Sequence, residues 1–213
     1  YDGTKLEGTL SVPDTKTNKA VILVHGIMSS RDELGLYSGL AKKLSENNIV
    51  SFRFDYRCHG KNKQDKKYMT LAGIVNDIEA ACIFMKQKQN PEEIYVVGMS
   101  FSGGLTAYWA ATTSTKIESV VMLAPVIDYQ EDILGQHGFI DDGKLNKKAG
   151  KELSSKEYIK ADGIKYSRSL INEIPYINGI IGLTRLKCES IILHGDADSM
   201  VPYKLSEKYS TLN

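Results

Sequence analysis

The 213-residue chain has little of several features that define particular protein classes. Its net charge is only +1, from 27 basic and 26 acidic residues, so no general attraction to nucleic acid is indicated. No apolar run is long enough to cross a bilayer. The three cysteines, Cys58, Cys82 and Cys188, are an odd number without metal-ligand spacing. They favour free thiols in a reducing cytoplasm over a disulfide framework.

The overall composition is that of one globular domain. Hydrophobic residues make up 42% of the chain and charged residues 25%, which suits a compact fold with a substantial core. No signal peptide is visible, although the chain opens at Tyr1 rather than methionine, and this start is compatible with a removed leader.

Apolar β-branched runs alternate with segments of helical periodicity along most of the chain. We predict strands at 6–12, 20–24, 49–54, 93–98, 117–124 and 191–193. We predict helices at 33–47, from Thr70 to just before Pro91, at 102–113 and from 203 onward. This alternation indicates an α/β fold, with a mostly parallel sheet flanked by helices.

Residues 125–184 interrupt this pattern, because they are charged and irregular, with a hairpin signal at Asp141-Asp142-Gly143-Lys144. Such a long connection is usually functional or mobile, and this one leaves the sheet at the edge where ligands bind. We therefore expect core residues 1–124, a cap or lid at 125–184 and a truncated second part of the core at 185–213. The alternative is a solvated insertion without a role.

Residues 94–104 have the pattern of a nucleophile elbow, a sharp strand-to-helix turn that holds a serine in strained backbone geometry. The candidate nucleophile is Ser100, with Gly98 and Ser102 at positions −2 and +2, where glycine is more usual at +2. Two alternatives remain: Ser102 is itself the nucleophile, or the segment is an ordinary Gly/Ser-rich turn between a strand and a helix.

A serine nucleophile needs backbone donors for the oxyanion, a base, and an acid that orients the base. The amide of Phe101 follows the nucleophile, and the turn after residues 23–26 offers the amide of Ile27. His25 belongs to that turn, so a structural role is favoured over a role as the base.

The loop after the last predicted strand supplies the acid. Asp198 is favoured over Asp196 because the loop has turned back toward the sheet there, and Asp128 is a weaker rival. The competing role for Asp198 is turn formation and helix capping. A metal site of His194, Asp196 and Asp198 is the further alternative, although the glycine of a calcium loop and a second ligand cluster are missing.

The segments 24–26, 54–60, 98–103 and 194–202 together resemble the α/β-hydrolase family, in that family's order and over nearly the whole chain. The compact size and the cap resemble its branch of cinnamoyl/feruloyl esterases and monoacylglycerol-lipase-like enzymes. The resemblance implies Ser100 as nucleophile, Asp198 as acid, and Ile27 and Phe101 as oxyanion donors. Cys58 stands where that family more commonly has glycine, and a thiol nucleophile there lacks an elbow.

The base is the missing part. The resemblance implies a histidine after Asp198, yet the four histidines are His25, His59, His137 and His194. The first, second and fourth belong to other motifs, and His137 lies in the expected cap, an unusual place for a triad base. We expect that the C-terminal strand, histidine loop and helix of the fold lie outside these 213 residues.

The sequence thus predicts a serine hydrolase that cleaves small carboxylic esters through an acyl-enzyme on Ser100. No cofactor, metal, nucleic-acid partner or transmembrane segment is expected. The alternatives are an acyl thioesterase or acyltransferase on the same fold, or a non-catalytic binding module. A flavodoxin-like or Rossmann ligand binder is disfavoured because no Gly-x-Gly-x-x-Gly follows the first strand.

Overall fold

The computed structural model describes residues 2–212 and contains one six-stranded sheet and two short hairpins. The strands are β1 (Glu7–Ser11), β2 (Lys19–Val24), β3 (Val50–Asp55), β4 (Glu93–Met99), β5 (Ser119–Leu123), β6 (Ile140–Asp141), β7 (Lys144–Leu145), β8 (Tyr158–Ala161), β9 (Ile164–Ser167) and β10 (Glu189–Leu193). The α-helices are α1 (Leu36–Glu46), α2 (Leu71–Gln89), α3 (Phe101–Thr112), α4 (Lys147–Lys156), α5 (Arg168–Glu173), α6 (Gly179–Arg185) and α7 (Tyr203–Tyr209).

The large sheet has the order β1-β3-β2-β4-β5-β10. Strand β1 is antiparallel to β3, and all other neighbours are parallel. The centre is buried on both faces, which explains the uninterrupted apolar run of β2. The predicted α/β fold with a mostly parallel sheet is therefore confirmed.

Helices cover the two faces of the sheet unequally. Helices α2 and α3 pack on one face in the larger apolar cluster, and α1 packs on the other against a smaller cluster around Leu23, Tyr37 and Val97. The beginning of α2 is the one expected from sequence, because the Thr70 hydroxyl accepts a hydrogen bond from the amide of Gly73 at 3.0 Å.

The sheet edge at β10 has an apolar surface. Ile191 and Leu193 are 51% and 57% exposed, and they lie in register with the half-buried Val121 and Leu123 of β5. Alternate residues of a strand share a face, so the four side chains form one patch, on the side of the sheet where α1 packs. We call this set the β10 patch.

The connection between β5 and β10 contains the π-helical turn Gln130–Gly135, the hairpins β6–β7 and β8–β9, and α4 to α6. The hairpin predicted at Asp141–Lys144 is present as β6–β7. Helix α6 packs closely on α3, since a Cβ on Gly104 would lie 3.0 Å from the Cα of Gly179. Glu173 in α5 accepts hydrogen bonds from the first amides of α2, so this segment rests on the core.

Within residues 2–212, every helix is too short or too polar to span a lipid bilayer.

Asp132, in the π-helical turn, should make stability depend on pH. Burial, aided by the charge of Asp128, raises the pKa of Asp132 to about 7, against about 3.9 in an unfolded chain. The native state therefore keeps a proton that the unfolded state releases. The stability contributed by this proton is fully present below about pH 4 and is lost as pH rises through about 7.

We expect Asp132→Asn to match the parent protein near pH 4 and to become progressively more stable as pH rises. The difference should grow by up to about 1.4 kcal/mol per pH unit and level off above pH 7 at no more than about 4 kcal/mol. Urea unfolding of both proteins across this range measures it. A difference that is independent of pH would show that Asp132 is ionised in the native state.

Candidate active site

Ser100 lies at a strained corner between β4 and α3, with φ 50° and ψ −120°. The turn is tied to β5, because the amide of Ser100 donates to the Leu123 carbonyl at 2.8 Å. A Cβ at Gly98 would lie 2.5 Å from the Thr106 hydroxyl, so the position two residues before Ser100 has no room for a side chain. Ser100 is half-exposed, as a residue with an attacking hydroxyl must be.

Ser102, the other candidate nucleophile, is fully buried. Its hydroxyl donates to the Val24 carbonyl at 2.8 Å and accepts from the amide of Met99 at 3.1 Å. The side chain thereby links the end of β2 to the elbow. This geometry suits a structural role for Ser102 rather than attack on a substrate.

The turn after β2 faces the elbow, since a Cβ at Gly26 would lie 3.3 Å from Cβ of Ser100. The Gly26 amide donates to the buried carboxylate of Glu33 at 2.5 Å. Within residues 2–212, the amides of Ile27 and Phe101 have no acceptor, and Phe101 begins α3, where an amide has no intrahelical partner. Both predicted donors are therefore free to bind an oxyanion.

His25 and His59 form a buried ring cluster with Tyr56 beneath this turn. The His25 and Tyr56 rings stack with centroids 4.0 Å apart, and His59 meets Tyr56 edge-on at 4.4 Å. Each imidazole Nδ1 contacts a backbone carbonyl, that of Gly26 for His25 and that of Arg57 for His59. Burial lowers the pKa of His25 to about 3 and that of His59 to about 4, so both rings are neutral near pH 7.

The predicted acid, Asp198, lies in the loop between β10 and α7. Its Oδ1 accepts from the amides of Met200 and Val201 at 2.8 and 3.0 Å, and its Oδ2 lies 3.4 Å from Nε2 of His194. Although burial acts in the opposite direction, these contacts hold the pKa of Asp198 below its usual value, so the group is a carboxylate. The rival Asp128 accepts a hydrogen bond from Tyr209 of α7 at 2.9 Å.

Ser100 and Asp198 are not in contact, but both follow strands that end at the same level of the sheet. Met99 of β4 and Leu193 of β10 are both in register with Leu123 of the intervening β5. Two strand spacings therefore separate the two loops, which is ~10 Å. The two side chains require an intervening group if they are to act together.

None of the four histidines bonds to the Ser100 hydroxyl in the described part of the chain. His194 bonds to the Ser206 hydroxyl at 2.7 Å, and His137 lies 3.3 Å from Asp162 at the tip of the β8–β9 hairpin. Residues 2–212 hold no group of three or more His, Cys, Asp or Glu side chains placed to bind a metal ion. The site thus has a serine, two free amides and a carboxylate, without a base next to the serine.

The sequence model of one family, the serine aminopeptidases of type S33, matches residues 15–163, well over half of the chain. The chain belongs to this α/β-hydrolase family. The match extends over residues 25–27, which we call the oxyanion turn after their predicted role, and over the elbow and β5, and the resemblance seen in the sequence is confirmed.

Solved structures agree on the fold. Est1E from Butyrivibrio proteoclasticus, with ferulic acid bound, is 22% identical with a TM-score of 0.82, over 99% of this chain and 83% of that one. Alpha/beta hydrolase domain-containing protein 10 from mouse is 17% identical with a TM-score of 0.73, over 96% and 78% of the two chains. At these identities the likeness shows the fold alone.

A curated relative is the uncharacterized protein YfhR of Escherichia coli O157:H7, which is 23% identical over 221 residues. The match covers 99% of this chain, which spans only 65% of the length of that relative.

Sequence reasoning missed three residues that shape the turn after β2. Glu33 binds the Gly26 amide, while Tyr37 and Ser102 both donate to the Val24 carbonyl. Only Ser102 carried a signal, because it departs from the usual glycine at position +2. Glu33 reaches the turn through positive φ angles at Glu33 and Leu34, which these residue types rarely adopt.

Proposed function

We propose that the protein cleaves carboxylic esters of small molecules through an acyl-enzyme on Ser100. The observation that supports this most strongly is the half-exposed serine on a strained corner, facing a turn with a free amide at Ile27 and followed by a free amide at Phe101. Such amides stabilise the negative charge that develops on an acyl carbonyl under attack.

In the first half-reaction, Oγ of Ser100 bonds to the acyl carbon and its proton passes to a base. The bond between the acyl carbon and the alcohol oxygen breaks, and the base returns the proton to the leaving alcohol. Water then attacks the acyl-enzyme, the base takes one of its protons, and the acid leaves as the serine hydroxyl is restored. We assign the orientation of the base to the carboxylate of Asp198.

We further propose that the base is a histidine other than the four in this sequence, all of which have partners elsewhere. The separation of ~10 Å between the loops of Ser100 and Asp198 leaves space for an imidazole between them. A strand added beside β10, the last strand in the order of the sheet, with a helix over the β10 patch, would deliver it from that side.

Residues 125–184 are proposed to act as the cap. The supporting contact is the β8–β9 hairpin, whose Ser167 hydroxyl bonds to the Met69 carbonyl at 3.2 Å and which faces the loop after β3. Within residues 2–212 none of the three cysteines forms a disulfide, which fits the reducing cytoplasm as the proposed location.

The same fold also supports two alternative functions. The same oxyanion donors would serve a thioesterase or acyltransferase. The lack of a base beside Ser100 favours, as a second candidate, a binding module without catalysis.

Added imidazole should act as a substitute base and separate these functions. We expect the chain alone to hydrolyse p-nitrophenyl esters feebly, since general bases contribute about 10²–10⁴-fold, and imidazole to restore part of that rate. Mass spectrometry should find the acyl group on Ser100. A panel of p-nitrophenyl, feruloyl and acyl-thioester substrates then ranks ester against thioester cleavage. Failure of Ser100 to be acylated at any imidazole concentration would favour the binding module.

A further inference from the structure

A cavity of about 460 Å³ opens beside the oxyanion turn, between the loop after β3 and the β8–β9 hairpin. The residues that matter among those lining it are Met28, His59, Lys63, Asp65, Lys66 and Lys165. Met28 follows Ile27 directly, so one wall of the cavity continues from the proposed oxyanion donor. Its size is within the range of small-molecule sites, about 300–1,000 Å³.

The walls of this cavity carry three lysines, and none of them lies in a salt bridge within residues 2–212. The ammonium of Lys63 bonds to the Gly60 carbonyl at 2.9 Å, and that of Lys165 lies 4.8 Å from the centre of the Tyr158 ring. Among the described residues that line the cavity, the one acidic side chain is Asp65, whose Oδ1 accepts a hydrogen bond from the backbone amide of Lys67. The cavity therefore has an excess of positive charge.

Of the three lysines, Lys66 has the weakest partner for its positive charge. Its side chain is half-buried, and its ammonium contacts the thioether sulfur of Met28, a weak acceptor. Burial lowers its pKa, and its charge helps to lower the pKa of His25 and His59. A partly buried ammonium without a carboxylate partner has lost hydration that nothing replaces. An anionic ligand would supply the missing counter-charge and hydrogen bonds.

We propose that this cavity binds a negatively charged group of the substrate, a carboxylate or a phosphate. This inference rests on the proposed function, and it narrows the substrates to esters that carry such an anion some distance from the scissile bond. Lys66 is the principal ligand, and Lys63 and Lys165 supply further charge from the two sides of the cavity. Charge-assisted hydrogen bonds from ammonium groups to these anions are about twice as strong as neutral ones.

Direct binding tests the cavity without relying on catalysis. Calorimetric titration compares 4-phenylbutyrate with its neutral amide, and phenyl phosphate serves as the second anion. We expect the acid to bind about 10-fold or more tightly than the amide, and Lys66→Met to remove most of this preference. Lys66→Arg should retain it. Lys88→Met is the control variant, because it removes the same charge from a lysine that lies over the Phe84 ring and does not line the cavity.

Equal affinity for the acid and the amide, or the same preference in Lys66→Met as in the parent chain, would overturn the proposal. Tighter binding of phenyl phosphate than of phenylbutyrate supports it and identifies phosphate as the preferred anion. The same titrations on Ser100→Ala separate the two proposals. Retained anion binding combined with no acylation of Ser100 in the parent chain would refute the hydrolase function and leave the anion site standing.

Discussion

Ser100→Ala is expected to lower the rate of fluorophosphonate labelling in the presence of imidazole by at least about a thousandfold. The reason is local geometry: the hydroxyl lies on a backbone corner with φ 50°, and the free amide of Phe101 directly follows it. Exposed serines elsewhere on the protein lack this arrangement, so little labelling should remain. Gel fluorescence gives the rate, and mass spectrometry of the peptide containing residue 100 gives the site.

Ser102→Ala is the matched control for this experiment. It removes a hydroxyl two residues away and leaves the Val24 carbonyl with the Tyr37 hydroxyl as its remaining side-chain donor. We expect the label to stay on Ser100 and its rate to fall about tenfold, because the oxyanion turn is less firmly held. Labelling that survives Ser100→Ala, or that is found on Ser102, would refute the assignment of the nucleophile.

The central sheet could be predicted because its signals are local. Strand β2 is a continuous apolar run buried on both faces, and α2 begins after a capping Thr70 and ends before Pro91, as the periodicity indicated. The Ser100 elbow was predictable for the same reason. Glycine at 98, 103 and 104 fits the small space at this turn, where an added Cβ would lie within 2.5 Å of a neighbouring atom.

The segment between β5 and β10 was harder to predict, although part of its signal is present in the sequence. Hairpin β8–β9 turns at Asp162-Gly163, the same dipeptide as in the predicted β6–β7 hairpin. Ile159 and Ala161 alternate with polar residues before the turn, and Ile164 and Tyr166 alternate after it. The many lysines of this segment concealed the alternation.

Contacts within and between the loops had no readable signal in the sequence. The bond from Gly26 to Glu33 depends on an unusual backbone at Glu33 and Leu34, and the Lys66 contact with Met28 depends on how two loops meet. Hydrophobic periodicity carries no information on either. The candidate nucleophile could therefore be predicted from sequence, whereas its surroundings required the structure.

Breaking the buried ion pair between Arg57 and Asp77 should cause the largest fall in the free energy of unfolding. Nη2 of Arg57 lies 2.7 Å from Asp77 Oδ1, its Nε lies 2.9 Å from Oδ2, and the Arg57 amide donates to Oδ2 at 2.8 Å. We expect Asp77→Ala to lower the free energy of unfolding by about 3–5 kcal/mol, because it leaves a buried guanidinium with only the half-exposed Asp2 as its counter-charge. Urea unfolding measures the loss.

The double variant Arg57→Met with Asp77→Leu distinguishes the cost of an unpaired charge from the cost of lost packing. It should be more stable than Asp77→Ala, because no charge is then left buried. If both variants lose the same free energy of unfolding, packing rather than charge explains the effect.

The Arg57 carbonyl also accepts a hydrogen bond from Nδ1 of His59, and the neighbouring Tyr56 stacks on His25. Asp77→Ala should therefore also slow labelling of Ser100 under conditions in which the protein is still folded, since the oxyanion turn rests on this ring cluster.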